Sequence, residues 1–172
     1  MSQLVSDQVD STSFEKVVDF NLNFGVLPSS ILVPKPDIFD KDPNQVEFCL
    51  KLIREEMKEL EQAVKDKDFV ETADALADIL YVVYGMGARL GLGMDSIFDL
   101  VHENNMSKLC KTEQDAKESV LYYIQNKEKL GYDSPNYRKA PDNIHWVVYN
   151  ESTKKILKSI KWLPVDLTSI CK

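Results

Sequence analysis

Two long amphipathic segments separated by three polar residues constrain this fold more than any other feature of the chain. Apolar side chains recur at helical spacing from about Asn44 to Lys65, and again from Phe69 to about Leu90. Between them, Asp66-Lys67-Asp68 predicts a tight turn. Helices joined by so short a turn pack antiparallel. The sequence therefore predicts an all-α chain built around a helical hairpin.

The shorter segments complete a predicted antiparallel bundle of four core helices with a short C-terminal β-hairpin. Ser13 is expected to cap a first helix from Phe14 to about Phe24, which Gly25 ends. A proline-rich connector follows over 26–43. Downstream, the patterns predict helices over 94–109 and 112–130, a loop over 135–141, and strands over 145–149 and 155–160. The expected divisions are a flexible N-terminus (1–12), a helical domain (13–130) and an extension containing the hairpin (131–172).

Charge and cysteine usage narrow the function classes. The 172-residue chain carries a formal net charge of −7, which argues against nucleic acid or an anionic membrane surface as partner, because both need a basic face. The longest apolar stretch, Ile79 to Met86, is too short to span a bilayer. Three widely spaced cysteines, Cys49, Cys110 and Cys171, favour free thiols in a reducing, cytoplasmic compartment.

Three glutamates of the first long helix do not lie on its polar face, where solvent-exposed acids are expected. At about 100° per residue, Glu55, Glu56 and Glu59 fall at the edge of the apolar arc or inside it, away from the lysines. The second helix is apolar on all sides, which predicts a buried central helix. Its one charged stripe holds Glu71, Asp74, Asp78 and Arg89.

Facing carboxylates need a counter-charge. Two carboxylates about 4 Å apart repel by about 4 kcal/mol at an effective dielectric constant of about 20. Oxygen-preferring divalent cations relieve that repulsion, and Mg²⁺ fits, with Mn²⁺ as its substitute. The alternative is an ordinary solvated acidic face, which the placement of the acids on the apolar side disfavours.

The same residues resemble a known family. Residues 52–60, LIREEMKEL, are similar to the EExxE motif of the all-α nucleoside triphosphate pyrophosphohydrolases, and Glu71-Thr-Ala-Asp74 is similar to their ExxD motif. Residues 74–85 and 101–109 resemble the MazG-like, or phosphoribosyl-ATP pyrophosphohydrolase-like, branch. The resemblance implies a helical bundle that pairs around magnesium sites. It also implies cleavage between the α and β phosphates of a nucleotide, with release of nucleoside monophosphate and pyrophosphate.

Carried onto this chain, the resemblance implies Glu56, Glu59, Glu71 and Asp74 as metal ligands. Glu55 becomes either a further ligand or the catalytic carboxylate that orients the attacking water, with Glu56 beside it. In many relatives the ExxD aspartate stands where this chain has Asp78, so either turn of the second helix can supply ligands.

The remaining candidates would contact substrate. Lys108 can meet a phosphate, and Asn105 a phosphate or the sugar; the alternatives are a solvated lysine and a helix cap. Arg89 is either a phosphate contact or an ion-pair partner of a carboxylate. The base needs a flat apolar slot, for which the candidates are Phe20, Asn21, Phe24 and Tyr81 or Tyr84, each of which could equally be core packing.

The predicted function is a magnesium-dependent nucleoside triphosphate pyrophosphohydrolase that removes unwanted nucleotides from the pool. It would act as a homodimer or homotetramer, since a buried helix with carboxylates needs cover. One alternative keeps the site and takes phosphoribosyl-ATP as the substrate. The other is a non-enzymatic acidic helical module that binds metal ions or partners.

Overall fold

A computed structural model describes residues 11–171, and most of the segment predicted to be a flexible N-terminus, residues 1–10, lies outside them. The predicted class, a helical fold with a small C-terminal sheet, is confirmed. In chain order the elements are α1 (Ser13–Asn23), α2 (Ile38–Lys41), α3 (Pro43–Asp66), α4 (Phe69–Arg89), α5 (Met94–Met106), α6 (Glu113–Gln125), α7 (Lys127–Leu130), β1 (Pro135–Lys139) and β2 (Trp146–Asn150).

The chain divides into two compact units, and the division falls within α5. Among the described residues, unit 1 comprises 11–98 with 167–171, and unit 2 comprises 99–166. Within unit 2, α6 packs against both strands. The functional limits of the helical domain, 13–130, stay a prediction.

Local capping explains why α3 and α4 begin and end where they do. Pro43 occupies the first turn of α3, where its missing N–H costs nothing, and the Asp42 carboxylate accepts from the Gln45 N–H at 3.0 Å. The helix ends at Lys67, whose φ is 59°. The Asp68 carboxylate then accepts from the first N–H groups of α4. The predicted helical hairpin is confirmed to within a residue at these ends.

The entry to α1 differs from the prediction. Thr12, and not Ser13, caps the helix: its hydroxyl accepts from the Glu15 N–H at 3.1 Å, while the Glu15 carboxylate accepts from the Thr12 N–H at 2.8 Å. This reciprocal capping box satisfies two N–H groups that the helix itself leaves without partners. The connector after α1 is also less irregular than predicted, since it contains the short helix α2.

The prediction that α4 is buried on all sides is wrong for this chain by itself. Its buried residues are only Ala75, Gly87 and Ala88. Large apolar side chains on the same helix remain exposed, with Leu76 50% and Leu80 57% accessible. The reason is that α1 and α3 are the helices that pack extensively against α4, and they leave its remaining surface uncovered.

Unit 2 corrects the predicted hairpin. The segment 135–141, predicted as a loop, contains β1, which pairs antiparallel with β2 in the register Tyr137 opposite Val148. Pro135 is tolerated because it stands at the first position of the strand. The second predicted strand, 155–160, forms only an isolated bridge between Ile156 and Tyr149.

Two further observations concern the predictions on compartment and membrane. Cys49, Cys110 and Cys171 are free thiols, and the first two are buried. Within residues 11–171 no single helix is long and apolar enough to cross a membrane; α4 and α5 meet the length and composition required only together, as a pair bent by 112°.

Candidate active site

The hairpin of α3 and α4 brings acidic side chains from both helices together. Glu56 is half-buried on α3. Burial raises its pKa, and so, in decreasing order, do the charges of Glu59, Asp78, Glu55 and Asp74. Two of these carboxylates belong to α3 and two to α4, so the acids act on one another across the helix pair.

The sequence left open whether the turn of α4 that contains Asp74 or the turn that contains Asp78 supplies ligands. Both Asp78 and Asp74 raise the pKa of Glu56, and Asp78 does so more strongly. Glu71 lies in the first turn of α4 and is exposed. Its role as a ligand stays a prediction. Glu55 is exposed as well, and its Oε1 lies 3.7 Å from the Lys51 Nζ in an ion pair along α3.

Within residues 11–171, the acidic side chains lie too far apart to hold a metal ion in their present positions. Across the part of the chain that the structure describes, no three His, Cys, Asp or Glu side chains are close enough together to hold an ion as they stand. The donor set still fits a hard divalent cation, because every member offers carboxylate oxygen.

A cleft of about 200 Å³ opens one helical turn from these acids. Leu52 lies one turn before Glu56 on α3, and Val82 lies one turn after Asp78 on α4, so cleft and acids share one face of the helix pair. Its lining residues come from α1, α3 and α4, and they are Phe20, Asn21, Cys49, Leu52, Tyr81, Val82, Gly85, Met86 and Arg89.

Four of the predicted substrate contacts line this cleft, and they are Phe20, Asn21, Tyr81 and Arg89. Asn21 is buried, and its Nδ2 donates to the Val17 carbonyl oxygen at 2.7 Å. The Arg89 guanidinium lies over the Phe48 ring, 5.4 Å from its centroid. Among the described residues Arg89 forms no ion pair, and both alternatives for its role, phosphate contact and ion-pair partner, stay predictions.

The structure separates the two candidate tyrosines. Tyr81 lines the cleft, where its ring packs edge-on against Phe20 with centroids 5.5 Å apart. Tyr84 instead packs edge-on against Phe14 at 5.7 Å and joins the core of unit 1. The turn-by-turn spacing on α4 offered no signal to distinguish them, because both sit on an apolar helix.

Asn105 and Lys108 meet each other in unit 2. The Lys108 Nζ donates to the Asn105 Oδ1 at 2.6 Å. Both residues line a second cleft of about 210 Å³, together with Arg138 and apolar side chains from β2 and the segment after it. Their predicted contact with phosphate or sugar stays a prediction.

Comparison with known proteins identifies the carboxylate-bearing part of the chain. The family model described as phosphoribosyl-ATP pyrophosphohydrolase matches residues 33–105, which include all of α3 and α4. Residues 33–105 form a domain of the MazG-like nucleoside triphosphate pyrophosphohydrolase superfamily. An uncharacterized protein of Acanthamoeba polyphaga mimivirus is 29% identical, over 87% of this chain and 91% of that relative. That similarity extends well beyond the matched domain and includes most of unit 2.

The domain assigns a general chemistry to the hairpin. The chain carries a pyrophosphohydrolase-type domain, and this family acts on nucleotides and generally depends on divalent metal ions. The match begins in the connector, after α1, so the contributions of Phe20 and Asn21 to the cleft come from outside the family model.

Proposed function

We propose that this protein is a magnesium-dependent pyrophosphohydrolase that cleaves nucleoside triphosphates between the α and β phosphates. The products would be a nucleoside monophosphate and pyrophosphate. The observation that carries the proposal is the half-buried Glu56, whose pKa is raised by burial and by carboxylates from both helices. Such clusters of mutually repelling acids are typical of sites built to hold cations and phosphates.

Each acid then has a role in the proposed reaction. Glu56, Glu59, Asp74 and Asp78 would hold Mg²⁺, with Glu71 as a further candidate from the first turn of α4. When bound, Mg²⁺ offsets phosphate charge and lowers the pKa of coordinated water, and Mn²⁺ can replace it. Glu55 orients the attacking water and accepts its proton. The new P–O bond forms at the α phosphorus as the bond to the bridging oxygen breaks, and pyrophosphate leaves.

The cleft next to the acids would hold the nucleoside. Phe20 and Tyr81 provide apolar ring surface for a base, and Arg89 provides a cation for the phosphates. Asn21 would contact the base directly. We expect Asn21→Leu to raise KM for the preferred nucleotide by about tenfold, the effect of one lost polar contact to substrate, with a smaller change in kcat. Asn23→Leu is the matched control, because within residues 11–171 the bonds of that exposed side chain go only to Asp19.

The uncovered face of α4 supports a homo-oligomer, a dimer or a tetramer. Leu76 and Leu80 are exposed one turn apart on this helix, and Phe69 near its start is 86% accessible. A second copy packing on this face would remove that apolar surface from water. Sedimentation should show an assembly at micromolar concentration, and Leu80→Lys should dissociate it. A compact monomer of about 20 kDa would refute the proposal.

The reaction is tested with a panel of ribo- and deoxyribonucleoside triphosphates, with and without Mg²⁺, with the products separated. Monophosphate and pyrophosphate should form only with metal, and Glu56→Gln and Asp74→Asn should each abolish them. Glu61→Gln, an exposed change on the same helix, should leave turnover intact. Diphosphate and phosphate as products would refute cleavage at the α phosphorus.

The matching family's description favours a second candidate substrate, phosphoribosyl-ATP. Turnover of that compound without turnover of simple triphosphates would select it. If neither is cleaved while Mg²⁺ still raises Tm, the non-enzymatic metal-binding alternative holds. Broad activity on simple or modified triphosphates would instead fit the house-cleaning role that we propose, in the cytoplasm.

A further inference from the structure

Unit 2 contains a cleft whose chemistry differs from that of the acidic hairpin. Its volume is about 590 Å³, within the range of small-molecule sites. None of the described residues that line it carries a carboxylate. Aromatic and cationic side chains make up most of its wall, and they are Tyr122, Tyr123, Tyr132, Trp162, Lys155 and Lys158.

The two lysines of this wall are held by rings and not by acids. The Lys158 Nζ lies 3.6 Å from the centroid of the Trp162 ring, and the Lys155 Nζ lies 5.3 Å from that of Tyr132. Within residues 11–171 neither lysine forms an ion pair. Residues 152–165 include four lysines and no acid, in a chain whose net charge is −7. Both ammonium groups therefore keep hydrogen-bond donors for an anion.

Side chains of α6 fix the irregular segment that carries these lysines. The Tyr123 hydroxyl donates to the Lys158 carbonyl oxygen and accepts from the Lys158 N–H, both at 3.1 Å. The Ser119 hydroxyl accepts from the Ile160 N–H at 3.0 Å. The Trp162 Nε1–H donates to the Asn104 carbonyl oxygen at 3.2 Å. The wall is therefore largely pre-organised, which lowers the entropy cost of binding.

We propose that this cleft binds a mononucleotide, with the phosphate on Lys155 and Lys158 and the base against the tyrosine rings. A phosphate alone would leave most of the cleft and its aromatic wall unused. Tyr122 is 47% exposed and offers ring surface on which a base can stack. The site lies wholly in unit 2, and its occupancy does not depend on the hydrolysis proposed for unit 1.

Tryptophan fluorescence provides a local test, because both tryptophans of the chain, Trp146 and Trp162, lie in unit 2. The titration uses the full chain carrying Glu56→Gln, in EDTA, with each of the four nucleoside 5′-monophosphates. Adenosine and inorganic phosphate serve as ligand controls. We expect a saturable change in emission with at least one monophosphate, lost in Trp162→Phe and weakened by added salt.

Two sets of variants test the contacts. Replacing both lysines, by Lys155→Gln with Lys158→Gln, should weaken binding at least about tenfold, the scale of lost charge-assisted hydrogen bonds. Lys154→Gln, which removes a neighbouring lysine outside the cleft wall, should leave affinity unchanged. Tyr122→Leu should weaken the monophosphate more than inorganic phosphate. Far-UV circular dichroism and Tm verify that each variant is folded.

Several results would overturn the proposal. These are no saturable signal with any monophosphate, equal affinity in the double lysine variant, and inorganic phosphate binding as tightly as the nucleotide. Competition by polyglutamate as effective as by nucleotide would instead identify an acidic peptide as the ligand. Because the test protein lacks Glu56 and metal, failure here is distinguishable from failure of the hydrolytic assay.

Discussion

Gly91, in the turn between α4 and α5, should tolerate no side chain. Its φ is +76°, and a Cβ added there would lie 1.8 Å from the Val33 carbonyl oxygen and 2.4 Å from the carbonyl carbon. Both atoms are backbone, so no rotamer change can relieve the overlap. The connector runs against the end of α4 here, where the Lys35 N–H donates to the Leu90 carbonyl oxygen at 3.0 Å.

The cost of Gly91→Ala has two parts. The left-handed backbone costs a non-glycine residue about 1 kcal/mol. Displacing the connector by enough to admit the Cβ breaks the Lys35–Leu90 hydrogen bond, worth about 1 kcal/mol, and disturbs the packing around it by a similar amount. We therefore expect the free energy of unfolding to fall by about 3 kcal/mol, or Tm by about 10 °C for a chain of this size.

Substitutions at two other glycines measure the backbone cost separately from the cost of the overlap. Gly25 has a φ of +70° with nothing within 4 Å of an added Cβ, so Gly25→Ala should cost only the backbone term of about 1 kcal/mol. Gly93 has open space and no such φ, so Gly93→Ala should stay within about 0.5 kcal/mol of wild type. Urea unfolding followed by circular dichroism measures all three, and amide exchange at Lys35 reports the connector. If Gly91→Ala is no worse than Gly25→Ala, the close approach to Val33 is refuted.

Two titrating groups give predictions of opposite sign. Because burial and the neighbouring carboxylates raise the pKa of Glu56, its charge destabilises the metal-free fold, so Glu56→Gln in EDTA should raise Tm at pH 7. This gain in Tm should vanish below pH 4.5, the ordinary pKa of a glutamate, and Glu61→Gln should produce no gain. An unchanged Tm of Glu56→Gln at pH 7 would contradict the clustering of carboxylates around Glu56. Hydrogen bonds from Ser152 and Asn150 hold the pKa of Asp133 far below its usual range. The stability that the Asp133 carboxylate contributes is present above pH 3.8 and is lost as the pH falls. Asp133→Asn should therefore lower Tm at pH 7 and have a progressively smaller effect in acid. Thermal unfolding measured across a range of pH tests this.

What could be predicted from the sequence was encoded locally. The limits of α3 and α4 follow from apolar spacing, from Pro43 at the helix start and from Asp68 as a cap. The gathering of the acids also follows, since helical geometry fixes the face on which Glu56 and Asp78 stand, and a tight turn brings the two helices together. Their roles as ligands remain predictions, because side-chain pattern alone does not establish which oxygens an ion would take.

What could not be predicted depended on partners distant in the chain. The pairing of β1 with β2 replaced the expected pairing with 155–160, because the side chains of Ser119 and Tyr123 fix that later segment to α6. Leu80 is likewise exposed because the helices of a single chain do not cover all of α4, which the apolar pattern of α4 alone does not reveal.

The sequence by itself determined a helical hairpin bearing two sets of carboxylates. The spacing of apolar residues, the helix caps and the turn all depend on residues that are close together in the chain. Only the tertiary structure decided that Tyr81 lines the cleft while Tyr84 packs on Phe14, since both stand on one apolar helix and the packing of α1 distinguishes them. It also decided that Lys155 and Lys158 face aromatic rings and not acids. Those contacts join residues up to tens of positions apart, and side-chain packing, not local propensity, selects them.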